Sequence, residues 1–208
     1  MAQFFNINAD NPQLRLIQQA VDIIKRGGVI VYPTDSCYAL GCKIGDKEAA
    51  TKLLAVRGLD SAHDLTLICR DLSELGRYAQ VDNNQFRLLK AHTPGPYTFI
   101  LRGTREVPKR LLHKKHDTIG LRVPGHSIVQ ALLEELGEPI LSSTLLLEGE
   151  DVPLTEPWEI RERLEHLVEL VIDGGACGLT PTTVIDLTTD IPLIQRYGKG
   201  DVSAFEVA

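Results

Sequence analysis

The stretch Val29–Gly41, VIVYPTDSCYALG, follows a Gly27-Gly28 break. Its first four residues are β-branched or aromatic, the composition of a buried strand. Pro33 has no N–H to give to a sheet ladder and ends that strand. Thr34, Asp35 and Ser36 then set three small polar side chains at the strand's carboxyl end. Open α/β sheets hold their ligands there, although a solvated turn has the same pattern. Tyr38, Ala39, Leu40 and Gly41 return the chain to apolar character.

Working outward, Gln3–Ile7 reads as a short strand, and Asn11-Pro12 as a helix cap with proline in the first turn. Leu14, Ile17, Val21 and Ile24 form a helical stripe that Gly27 stops. Downstream, Asp46 caps a helix from Lys47 to about Val56, which delivers Arg57 and Gly58 at its end. Leu65–Cys69 is a short buried strand. Asp71 and Glu74 open a further helix, and Phe86, Leu88 and Leu89 belong to another that ends at Thr93-Pro94-Gly95-Pro96. Tyr97–Leu101 and Thr118–Val123 are strands, with Lys109–Leu112 between them as a possible helical turn. Ser127–Leu136 is an amphipathic helix closed by Gly137. Ile140–Leu147 is a strand with a hydroxylated centre, and Thr155 caps an acidic helix with Pro157 and Trp158 in its opening turn. Val168–Ile172, Thr182–Leu187 and Leu193–Tyr197 are the last strands. About nine strands interleaved with six helices predict an α/β fold: a single domain over 1–208 with its core at about 12–198. Its sheet is twisted, open and mostly parallel or mixed, with helices packed on it.

The bulk numbers agree. A chain of 208 residues, 43% hydrophobic and 24% charged, buries enough surface to need no disulfide or metal staple. Cys37, Cys42, Cys69 and Cys177 lack CxxC spacing and no His pair completes a zinc set, so reduced thiols and no metal site are expected. Cys37 is a nucleophile candidate by position alone. No run approaches a membrane span and no basic n-region precedes an apolar stretch at the start, so the expectation is a cytoplasmic protein without membrane contact. The net charge of −6 argues against binding polyanions over the whole surface. However, Arg102–Arg122 holds seven basic residues against two acids, a local +5 that leaves −11 elsewhere, much of it in Glu148–Glu169.

Hydroxyls recur at strand ends: Thr34 and Ser36, Thr66, Thr98, Ser142-Ser143-Thr144, and Thr182-Thr183. Arg57, Arg122 and Arg196 stand just at element ends, and guanidinium forks match phosphate oxygens. On composition alone, surface pairing with the chain's 28 acids is the commoner arrangement for three arginines. Gly198-Lys199-Gly200 lacks the strand–loop–helix context of a P-loop.

The ordered series VIVYPTDSCYALG, LLAVRG before LTLIC, TPGPYTFIL, GLRVPGHSIVQAL, EPILSST, TTVIDL and QRYG resembles the YrdC/YciO family, and within it the YciO branch. The resemblance runs through nearly the whole chain. It implies a twisted open α/β sheet around a concave cavity. It also implies an activity like that of the family's synthases, which make threonylcarbamoyl-AMP from L-threonine, bicarbonate and ATP (with Mg²⁺, as substrate) for threonylcarbamoyladenosine formation on transfer RNA. On that basis Thr34 falls near threonine, Arg57 on the nucleotide phosphates, Thr98 at a nucleotide contact and Arg122 on the substrate's carboxylate or phosphate. Ser142, Thr144 and Thr182 line the pocket, and Arg196 points towards the phosphates. His63 lies near Arg57 in sequence.

Two departures stand against that pattern. The synthases carry Lys-x-Arg where this chain has Arg57-Gly58-Leu59, and Ser-x-Asn where it has Thr144-Leu145-Leu146. One cation and one amide thus become leucines, which weakens stabilisation of a leaving pyrophosphate. The family is also credited with double-stranded RNA binding. A non-catalytic alternative therefore places duplex RNA, transfer or ribosomal, on Lys109, Arg110, Lys114 and Lys115.

Overall fold

A computed structural model describes residues 1–60 and 65–206. His63 lies outside the described residues. In chain order the elements are β1 (Gln3–Asn6), α1 (Leu14–Lys25), β2 (Ile30–Tyr32), β3 (Ala39–Lys43), α2 (Lys47–Arg57), β4 (Thr66–Ile68), α3 (Leu72–Tyr78), α4 (Asn83–His92) and β5 (Tyr97–Arg102). A 3₁₀ turn at Lys109–Leu111 follows, then β6 (Thr118–Arg122), α5 (Ser127–Leu136), β7 (Ile140–Thr144), α6 (Pro157–Leu164), β8 (Leu170–Asp173), β9 (Thr183–Asp186) and β10 (Leu193–Arg196).

All ten strands join one sheet in the order β1-β8-β2-β3-β7-β4-β6-β5-β9-β10. It is mixed: β1/β8, β2/β8, β4/β6 and β5/β9 run parallel, and the other neighbours antiparallel. The organising stretch holds two strands rather than one. Tyr32 pairs with Ala39 and Ile30 with Gly41, so Thr34-Asp35-Ser36 sits in a hairpin loop. Two caps also differ from expectation. α1 starts at Leu14 after Gln13, and Glu156 rather than Thr155 precedes α6, with Pro157 opening the helix. Asp46 and Asp71 do cap, each accepting a backbone N–H from the first turn of its helix.

Side chains alternate across strands, and here the alternation divides the molecule into two layers. Leu40, Cys42, Leu67, Phe99, Leu101, Leu121, Leu141 and Ile185 pack on one face against Leu53, Leu75, Leu89, Ile160 and Leu164 from α2, α3, α4 and α6. On the other face Ile30, Tyr32, Ala39, Ile68, Ile140, Leu170 and Ile172 pack against α1 and α5 through Ile17, Val21, Ile24, Ile128, Val129, Leu132 and Leu133. Truncating one of these fully buried leucines to alanine would cost about 2–5 kcal/mol. α1 and α5 cover only one half of their face. Beyond Ile140 of β7 and Ile68 of β4, towards β6, β5 and β9, no helix among the described residues lies on that face, and its residues turn from large and aliphatic to small and polar: Ser142, Thr66, Gly120 and Thr98.

Gly41 shows how tightly this frame is fitted. A Cβ there would lie 2.6 Å from Tyr32 Cε1 and 2.7 Å from Ile140 Cγ2. The missing side chain lets the Tyr32 ring cross β3 and bring its hydroxyl to 2.6 Å from Ser142 Oγ. Because Ser142 Oγ already donates to the Leu40 carbonyl at 2.8 Å, Tyr32 is the donor of that contact. No helix among the described residues is long and apolar enough to cross a membrane.

Candidate functional site

The uncovered half of the sheet is the floor of a cavity of about 460 Å³, within the ~300–1,000 Å³ range of small-molecule sites. Arg57, Thr98, Arg122, Ser142, Thr144, Thr182 and Arg196 all line it. Thr34 adjoins it through its contacts with Ser36 and Arg122. A Cβ on Gly120 would stand 3.1 Å from Thr66 Oγ1 and 3.2 Å from Thr98 Cγ2, so the glycine keeps the floor open.

Each arginine arrives by a different local device. α2 ends in a left-handed Gly58 at φ +63°, with the Leu59 N–H donating to Leu54 O at 3.0 Å and the Gly58 N–H to Ala55 O at 3.2 Å. This closing turn leaves Arg57 as the last helical residue. From there it reaches round the sheet, and its Nε donates to Ser143 Oγ at 3.0 Å. Ser143 and Thr144 are accessible because β4 pairs with β7 only as far as Ser142.

Arg122 ends β6 and is only 5% exposed. Its Nη2 contacts the Asp35 carboxylate and also donates to Ser36 Oγ at 3.1 Å and Thr34 Oγ1 at 3.4 Å. Asp35 Oδ2 accepts the Gly125 N–H at 2.8 Å. The hairpin loop thus carries a buried ion pair, and Thr34 itself stiffens the loop by donating to the Cys37 carbonyl at 2.6 Å. Arg196, the last residue of β10, donates from Nε to Thr182 O and from Nη2 to Thr182 Oγ1, both at 3.0 Å. Thr182 Oγ1 lies 2.9 Å from Thr98 Oγ1.

The electrostatics favour an anion. Burial lowers the pKa of Arg57 and of Arg196, and the Arg122 charge pushes Arg196 further in the same direction. Both remain protonated at neutral pH. Among the described residues no carboxylate pairs with either. Among the described residues, two buried side-chain atoms have no hydrogen-bond partner, Arg122 Nε and His126 Nδ1. Burial lowers the pKa of His126, offset in part by Asp35. Cys37 lines the cavity, but burial raises its pKa despite Arg122, Lys199 and Arg196 nearby. A thiol held protonated is a poor nucleophile.

Lys109, Arg110, Lys114 and Lys115 are elsewhere. They are exposed on the long β5–β6 connection, anchored by the buried Val107 and Leu111 in the helix-covered layer. β5 and β6 pair Arg102 with Thr118 at that end and Phe99 with Leu121 near the other, so the hairpin separates the basic segment from Arg122. Arg110 donates to Gly45 O at 2.6 Å. The sequence marks Asp35, Ser36 and Ser143 as polar residues at strand ends without assigning them a partner, and it marks Lys199 only as part of a glycine-lysine-glycine run outside a P-loop context. For Asp35 a signal was present, because an acid in a loop leaving a wholly buried strand needs a buried cation.

The chain belongs to the Sua5/YciO/YrdC family, described as telomere recombination, whose profile matches residues 22–198. It is 60% identical over 205 residues to the uncharacterized protein YciO of Escherichia coli (strain K12), covering 99% of this chain and 100% of that one. An uncharacterized protein of Haemophilus influenzae is 55% identical over 206 residues, with 99% and 100% covered. The crystal structure of E. coli YciO superposes with a TM-score of 0.96 at 59% identity, covering 99% of this chain and 100% of that one. P. abyssi Sua5 complexed with L-threonine superposes with a TM-score of 0.84 at 27% identity, over 94% of this chain and 57% of Sua5. This chain therefore spans little more than half of Sua5.

Proposed function

We propose that the cavity binds a nucleotide together with a small amino-acid-like substrate, and that the chain carries a weak or altered form of threonylcarbamoyl-AMP synthesis. The observation that carries this reading is the convergence of Arg57, Arg122 and Arg196 with Thr98, Ser142, Thr144 and Thr182 on one cavity. The complex of Sua5 with L-threonine supports a small-molecule occupant.

The reaction suits a site built from cations and hydroxyls. The amine of threonine takes up bicarbonate as a carbamate, with loss of water. A carbamate oxygen then attacks the α-phosphorus of ATP, and the bond to the β-phosphate bridge breaks, releasing pyrophosphate with its Mg²⁺. Positioning and charge neutralisation dominate such a step, in a space that keeps water from the carbamate. Arg57 and Arg196 neutralise phosphate oxygens, Arg122 holds the substrate's carboxylate or phosphate with Thr34 beside the amino acid, and Thr98 and Thr182 hold the nucleotide. Leu59 and Leu146 line the same cavity where the synthases carry a cation and an amide. Each lost group is worth roughly 10²–10³ in rate, so turnover well below that of a full synthase is expected.

The test is pyrophosphate release from ATP–Mg²⁺ with threonine and bicarbonate, run beside Arg57→Ala. Release that needs all three substrates and collapses in the variant supports the reading. No release, together with no thermal shift at millimolar ATP, refutes it. The second reading, duplex RNA on Lys109, Arg110, Lys114 and Lys115, rests on their joint exposure in a +5 segment remote from the cavity. It requires binding that weakens steeply with salt.

A further inference from the structure

We infer that Lys199 is a substrate-positioning residue of the cavity, a cation held at its rim to clamp the anionic end of the ligand beside Arg122 and Arg196. The inference rests on the nucleotide reading above and adds a residue to it.

Gly198–Asp201 forms a strap tied to the edge of the cavity at several points. The Gly198 N–H donates to Thr183 Oγ1 at 3.1 Å, the Lys199 N–H to Pro181 O at 2.8 Å, and Thr183 Oγ1 to Gly200 O at 2.7 Å. Tyr97 Oη donates to Asp201 O at 3.0 Å. The two glycines make this close seating possible. A Cβ on Gly198 would lie 2.4 Å from the Thr182 backbone, and one on Gly200 2.4 Å from the Tyr97 ring. A strap fixed this firmly gives the Lys199 side chain a defined origin over Pro181 and Thr182, both of which line the cavity.

From that origin the exposed side chain spans to the Thr34–Ser36 hairpin loop. Lys199 Nζ donates to the Asp35 carbonyl at 2.6 Å, in the loop whose carboxylate holds Arg122. Lys199, Arg122 and Arg196 all act electrostatically on Cys37, a lining residue. Arg122, bonded to Ser36, and Arg196, bonded to Thr182, line the cavity, Lys199 reaches the adjoining loop, and Asp35 is the carboxylate paired with Arg122. The buried Arg122 Nε has no partner among the described residues. This region carries an excess of donors, and a phosphate or carboxylate group would satisfy it. An ammonium group on a flexible stem, bonded to a single neutral carbonyl, can exchange that contact for an anionic oxygen at little cost.

The experiment measures the affinity of the full chain for ATP, inorganic pyrophosphate and adenosine by calorimetry, in wild type, Lys199→Ala, Lys199→Arg and the distant charge control Lys25→Ala. The expected result is a loss of about tenfold or more for ATP and pyrophosphate in Lys199→Ala, the scale of one charge-assisted contact. Adenosine affinity and the melting temperature of the free protein stay unchanged, Lys199→Arg recovers most of the loss, and Lys25→Ala behaves as wild type. Wild-type ATP affinity in Lys199→Ala overturns the inference and leaves the nucleotide reading standing. An equal loss for adenosine overturns it too, because Lys199 would then be shaping the cavity rather than holding its anion. A wild type that binds neither ATP nor pyrophosphate overturns both.

Discussion

Asp35→Asn changes one atom and separates two effects of the buried pair with Arg122. The Arg122 side chain is 6% exposed and that of Asp35 15%, which takes the pair out of the surface regime where ion pairs contribute about 1 kcal/mol or less. Removing one partner of a buried pair costs ~3–5 kcal/mol, because the remaining charge stays desolvated. Asparagine keeps an oxygen for the Gly125 N–H, and Ser36 and Thr34 still accept from Arg122, so the expected loss is at the lower end, about 3 kcal/mol. For a domain of this size that lowers Tm by about 6–12 °C. Urea unfolding followed by circular dichroism should show a lower midpoint at unchanged m-value. In the double variant with Arg122→Met, most of the loss should be recovered, giving a coupling of about 2 kcal/mol or more. The same substitution leaves the Arg122 charge unneutralised and should tighten pyrophosphate binding while weakening the fold. A loss below about 1 kcal/mol, or an additive double variant, would refute the reasoning.

Other expectations follow from single features. Arg57→Ala should reduce pyrophosphate release by about 10²–10³-fold with little change in Tm, since the residue ends its helix half-exposed; this is read by coupled phosphate detection. Gly198→Ala should destabilise by about 2 kcal/mol or more, because its Cβ meets backbone atoms of Thr182 rather than a movable side chain; urea unfolding gives the number. Burial pushes Cys42 up to about 12 from 9.0 and Tyr32 up to about 12 from 10.0. Both are neutral when folded, so their contribution is complete below about pH 9 and is lost as pH rises towards 12. Each group removes up to about 1.4 kcal/mol per pH unit within its window, and alkaline unfolding should begin well before either group ionises in the native state. Reversing charge at Lys109, Arg110, Lys114 and Lys115 should flatten the salt dependence of duplex RNA binding, measured by titration at several ionic strengths.

What the chain reveals without coordinates depends on the range of the interaction concerned. Asp46 and Asp71 cap the helices they precede because capping is settled within three residues. The Leu14–Ile24 stripe packs as its spacing requires. β3 escaped notice because its identity is settled at long range. Ala39–Lys43 contains a glycine and only one bulky aliphatic residue, and it becomes a strand by pairing with β2 and with β7, a hundred residues further on. The same limit applies to the site. Strand ends with hydroxyls and arginines are visible locally, but that Arg57 answers to Ser143, Arg122 to Asp35 and Lys199 to the Asp35 carbonyl depends on strand order. Arg57, Arg122 and Arg196 are grouped by their shared place at element ends, and the family resemblance gives each a role. Lys199, to which it gives none, is not among them.

The position of β7 also bears on how the polypeptide is made. β7 lies between β3 and β4 and is translated long after both. Until Ile140–Thr144 leaves the ribosome, the growing chain carries two unfilled sheet edges flanking a gap, each a template for pairing with another nascent molecule. Productive collapse must therefore wait for the last third of synthesis, and aggregation during expression should be worst for fragments that stop just short of that strand.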